Sequence, residues 1–102
     1  MLAALAACGN EKVGITENPR AFDTKAWQAD RGNDRCDMAE DLMERVGLHG
    51  RTHAELVDLI GEADKRDGRS DFYYLCPSYM DIYVLQIRWR NERVAEAVIR
   101  DT

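Results

Sequence analysis

The sequence predicts an α+β fold in two layers, two helices packed on one face of a three-stranded antiparallel meander, in the order ααβββ. Apolar residues recur at helical spacing between Cys36 and Val46 and again between Thr52 and Ile60. From Phe72 the period changes to two, in runs separated by short turn-forming segments. Helices followed by sequential strands close most simply as a meander whose one face the helices cover.

The 102 residues can fill one small core and not two. Fourteen basic residues stand against 19 acidic ones, a net charge of -5, which argues against nucleic acid or an anionic membrane surface as the main partner. The longest uncharged stretch runs only from Met1 to Asn10, about half of the ~20 apolar residues a bilayer-crossing helix needs. The domain proper is expected over residues 24–102, preceded by a polar tether over 9–23 and a short apolar start over 1–8.

That start reads "MLAALAACGN". Leu5-Ala6-Ala7-Cys8 resembles the lipobox of bacterial lipoproteins, in which a leucine and two small residues direct lipidation of the following cysteine and cleavage just before it. The resemblance makes Cys8 the lipidation site, residues 1–7 a signal remnant without its basic part, and the lipid the only membrane contact.

Within the tether and beyond it, Pro19 and Gly32 are breakers, and Asp23-Thr24 can cap a short helical turn carrying Trp27, which is expected to pack against the domain rather than hold a ligand. The first full helix, Cys36 to Val46, places Met38, Leu42, Met43 and Val46 together and ends near Gly47. The second is bounded by a capping box, Thr52-His53-Ala54-Glu55, and by Gly61, where a left-handed C-terminal residue is wanted. Replacing Thr52 by Ala is expected to cost about 1 kcal/mol.

The charged stretch Glu62 to Ser70 holds Asp67-Gly68, a turn signal. The strands follow. Phe72 to Cys76 is aromatic-rich, and Ile82 to Trp89 alternates, with Tyr83, Leu85, Ile87 and Trp89 on the core face. Arg90 to Arg93 is a hairpin loop, and Val94 to Ile99 is the third strand, with Val94, Glu96 and Val98 expected on one face.

The run "LHGRTHAELVDLIGEAD", with "FYYL" and "LQIRWRNERVAEAVI", resembles the BamE (SmpA/OmlA) family of small bacterial outer-membrane lipoproteins. Leu48, Gly50, Thr52, Leu56, Ile60, Gly61, Tyr74, Leu85, Ile87 and Val94 stand where that pattern wants them. Arg51, Ala63 and Asn91-Glu92 depart from it, as a divergent member would. The resemblance implies a non-enzymatic, lipid-anchored domain facing the periplasm and acting through an envelope protein partner. An alternative of another class is a soluble inhibitor or immunity-type protein that blocks an enzyme with the same sheet surface.

Three cysteines leave one over if a single disulfide forms, and lipidation of Cys8 would resolve the odd count. Cys36 and Cys76 then either pair, closing a loop worth about 4 kcal/mol by chain entropy, or stand as two buried thiols; only their distance decides. His49 and His53 do not share a helical face, so no metal site, cofactor or catalytic set is expected. Arg88, Arg90, Arg93 and Arg100 are expected to cluster around the last hairpin, with Tyr73, Tyr79 and Tyr83 nearby. This is either a solvated basic surface or a partner-binding patch, since aromatic and arginine side chains dominate interface hot spots.

Overall fold

The computed structural model describes residues 15–102, so the lipobox, Cys8 and the first part of the tether lie outside the described residues. Among the described residues three α-helices, α1 (Thr24–Ala29), α2 (Asp34–Asp41) and α3 (His53–Ile60), precede four strands, β1 (Lys65–Asp67), β2 (Ser70–Pro77), β3 (Ile82–Arg90) and β4 (Arg93–Asp101). The strands form one antiparallel sheet in sequential order. The α+β meander is therefore present, with a fourth strand and a third helix.

Each addition has a local cause. Asp23 caps α1, its carboxylate accepting from Ala26 N at 2.8 Å, and the helix buries Trp27. Strand β1 has no apolar residue to announce it. It forms because Gly68, at φ 66°, turns the chain so that Asp67 pairs with Ser70 and Lys65 with Phe72. An exposed edge strand of three residues can be entirely charged, and charge there discourages further pairing.

Helix α2 starts two residues before Cys36 and passes into a π-helical turn over Leu42–Val46, where Gly47 N donates to Leu42 O at 2.8 Å. Helix α3 carries the predicted capping box: Thr52 Oγ1 accepts from Glu55 N at 3.2 Å, and Glu55 accepts from Thr52 N at 2.9 Å. Gly61 follows it at positive φ (79°), though its ψ of -172° is not that of a left-handed helical residue.

The core joins Trp27, Met38, Leu42, Leu48, Leu56 and Ile60 to Tyr73, Leu85, Ile87 and Val94 of the sheet. The helices' buried apolar residues thus belong to one cluster with this face of the sheet. Segment 15–22, read as tether, lies along α2: Thr16 Oγ1 donates to Asp37 at 2.6 Å, Arg20 N to Asp37 O at 2.9 Å and Phe22 N to Asp41 at 2.7 Å. Arg45 and the Phe22 N–H together hold the Asp41 carboxyl below its usual range.

The predicted faces hold for β3 and fail for β4. Asn91 and Glu92, at φ 53° and 63°, make the two-residue turn of a tight hairpin. The register then shifts: Trp89 faces Val94, but Arg88 faces Glu96, so Ala95 is an extra, bulged residue. One inserted residue exchanges faces. Val94 joins the core, as do Ala97 and Ile99 at its margin, while Glu96 and Val98 turn to the opposite side.

Candidate functional site

The face of the sheet opposite the core is built from cross-strand rows. Phe72, Gln86 and Val98 form one; Tyr74, Val84 and Arg100 the next; Ser70, Arg88 and Glu96 a third. No helix covers this face among the described residues. Val84 is nevertheless only 3% exposed, paired between Tyr74 and Arg100 on the central strand's two flanks. Gln86 donates to Ser70 Oγ at 3.0 Å and accepts from Arg100 Nε at 2.5 Å, so its amide is satisfied without water. The result is an apolar stripe with an ordered polar lattice and basic margins.

At the hairpin end the same sheet opens into a cleft of about 990 Å³ lined by Arg69, Arg88, Arg90, Trp89, Asn91 and Glu96, among others. Glu96 pairs with Arg88 at 3.6 Å; neither Arg69 nor Arg90 forms an ion pair with another described residue. On the other side of Trp89 a second cleft of about 710 Å³ is lined by His53, Arg66, Asp71 and Arg93. The Trp89 ring packs against the His53 imidazole at 5.4 Å between centroids. Chemically, the first cleft presents guanidinium donors suited to carboxylate or phosphate oxygens.

The structure separates the residues expected to bind a partner. Arg88 and Arg90 line the cleft together. Arg93 is exposed on the other side, its guanidinium donating to Gly50 O at 2.9 Å. Tyr79, 96% exposed beside Met80 at 83%, stands in the loop between β2 and β3. Tyr83 is half-buried and faces the core side, next to Asn33 and residues 15–18.

Tyr73 is a correction. It is 1% exposed, in the core, and its hydroxyl donates to Gly61 O at 2.7 Å. Burial raises its phenol's pKa, and no partner can reach it. The alternation of β2 puts Tyr73 opposite Leu85 on the helix side, while its neighbours Phe72 and Tyr74 belong to the open face.

Cys36 and Cys76 are bonded, with Cα atoms 5.9 Å apart, and the bridge ties α2 to the end of β2. Arg35, beside it, is a residue that no sequence motif marks. It is 7% exposed: Nε donates to Trp27 O at 2.9 Å, Nη1 to Tyr74 O at 2.9 Å and to Asp64 at 3.2 Å, and the guanidinium lies 5.4 Å from the Trp27 ring centre. Its signal was its position, in line with Met38, Ala39 and Leu42 on the buried stripe, where a charge needs partners. Trp27 Nε1, by contrast, is buried with no hydrogen-bond partner.

Among the described residues no group of three His, Cys, Asp or Glu side chains is placed to hold a metal ion. None of their helices is long and apolar enough to cross a membrane. No protein-family model, curated protein or solved structure matches the chain.

Proposed function

We propose that the chain is an extracytoplasmic protein-interaction domain of the bacterial envelope, tethered through a lipid on Cys8, that docks an acidic protein surface on its helix-free sheet face. The observation that carries this reading is the cleft at the hairpin, where Arg69 and Arg90 have no acidic partner among the described residues, on the same sheet face as the exposed Tyr74 and on a chain whose net charge is -5. Concentrating positive charge on one face of an acidic molecule steers encounter and orients docking. The disulfide between Cys36 and Cys76 supports an oxidising compartment, where such bonds persist.

Photo-crosslinking in cells tests the surface. A crosslinker placed at Tyr74 or Arg88 should trap a discrete protein adduct that Arg69→Glu with Arg90→Glu abolishes, while one at Glu44, on the helical side, should not. Equal adducts from both sides, or adducts indifferent to charge reversal, would exclude the sheet face. The anchor is tested separately by labelling with a fatty-acid analogue, which Cys8→Ala should abolish.

A further inference from the structure

The two edges of the sheet are treated differently. Past the short β1, the outer edge of β2 is closed by side chains: Tyr74 N donates to the Asp64 carboxylate at 2.8 Å and Tyr74 O accepts from Arg35 at 2.9 Å. On the other side only the start of β4 is occupied. Val94 N donates to Arg51 O at 2.9 Å, Gly50 N donates to Val94 O at 2.8 Å, and Thr52 bridges to Arg93. Beyond that, residues 95–101 have no strand beside them among the described residues. Such an edge presents backbone donors and acceptors at every second residue, a template for another strand.

The free segment is its own complement. Because Val94 is already bonded, antiparallel pairing of two copies that uses only residues 95–101 is centred on the middle residue, Val98. In that register Glu96 of each copy lies opposite Arg100 of the other, Val98 opposite Val98, and Ala97 opposite Ile99. Opposed residues in a ladder share a face, so the two charge pairs and the valines fall on the helix-free side. Centring one residue earlier would need the occupied Val94 and would set Glu96 against Val98. On the helical side a cleft of about 360 Å³ between Ala97 and Met43, Val46 and Leu48 runs beside this edge, space into which Ile99 of a second copy can reach.

We propose that the chain forms a twofold homodimer by antiparallel pairing of β4 with β4, in the register that sets Glu96 against Arg100. The product is a continuous eight-stranded sheet with the helices of both copies on one face. The inference rests on the edge and not on the partner reading: the helix-free faces stay open and lie side by side.

The test is sedimentation equilibrium of the full chain carrying Cys8→Ser, which removes the thiol that could link copies covalently, from about 1 to about 500 µM. The expected result is a concentration-dependent monomer–dimer equilibrium. Glu96→Arg sets two like-charge pairs across the axis and should weaken the dimer by about tenfold, as should Arg100→Glu. Glu96→Arg with Arg100→Glu restores both pairs with the charges exchanged and should return the dissociation constant to within about threefold of the starting value. Circular dichroism verifies that each variant is folded. A chain monomeric throughout the range, a dimer insensitive to the single substitutions, or a double variant no better than the singles would overturn the proposal.

Discussion

Arg35→Met is the most informative perturbation of the fold. Methionine keeps the length and apolar body of the arginine stem but cannot donate. Trp27 O and Tyr74 O, each accepting at 2.9 Å, would be left facing a thioether in a buried site. A hydrogen bond from a charged donor contributes about 1.5–3 kcal/mol net, so the two carbonyls together account for roughly 3–6 kcal/mol. The Asp64 and Asp30 contacts add less, because solvent reaches both carboxylates, at 33% and 52% side-chain exposure, and screens the pairs. Removing the buried charge also removes its desolvation penalty, which brings the expected loss to about 3 kcal/mol.

Urea unfolding followed by tryptophan fluorescence, under oxidising conditions so that the disulfide stays intact, measures this directly. With a slope of about 1.5 kcal/mol/M, the midpoint should fall by about 2 M. Asp30→Asn serves as the control and should move it by less than about 0.3 M. A midpoint for Arg35→Met within about 0.5 M of the parent would refute the view that this guanidinium joins α1, α2 and β2.

Other outcomes follow from the same geometry. Replacing Cys36 and Cys76 together by Ala should lower stability by about 4 kcal/mol, the entropy of a loop spanning 40 residues, and the unreduced, denatured parent should titrate one free thiol, Cys8, when unlipidated. Thr52→Ala should cost about 1 kcal/mol in the same urea experiment. Glu55 is held below its usual range by the Thr52 N–H, so the capping box contributes fully above the unfolded pKa of glutamate and loses that contribution as pH falls through the lowered folded value. Thermal unfolding across that acidic window should therefore show a steeper decline for the parent than for Glu55→Gln. Tyr73→Phe should cost about 1 kcal/mol through the lost bond to Gly61 O, without affecting adducts at the sheet face.

Much of the architecture was legible because it is written in short-range chemistry. The Thr52 to Glu55 capping box and the two-residue turn at Asn91-Glu92 each involve atoms within three residues of one another. The alternation in β3 is equally local: it places Leu85 and Ile87 inside whatever lies above them. The candidate site was legible in composition and less so in placement. Arg88 and Arg90 share a cleft as two residues of one face should, but their companion Arg69 comes from the turn between β1 and β2 and carried no mark in the sequence. Tyr73 lies in the core and not at the basic cluster, because aromatic content alone does not state which face of a strand a residue occupies.

By itself, then, the sequence determined the capped start of α3, the turn between β3 and β4, and which stripe of α2 and α3 is apolar, since caps, turns and periodicity act over a single turn of chain. Tertiary structure decided everything that depends on which side a residue faces or what lies across from it. Packing of α2 on β2 brought Cys36 within bonding range of Cys76, 5.9 Å between Cα atoms, a distance that no spacing in the chain specifies. It gave Arg35 its two carbonyls and made a charged triplet, Lys65–Asp67, into a strand because the edge of β2 was available to pair with it. And the single extra residue at Ala95, needed to keep Val94 in the core while β4 follows β3, turned Glu96 and Val98 to the open face. Register is a property of two strands together, which is why one strand's sequence could not state it.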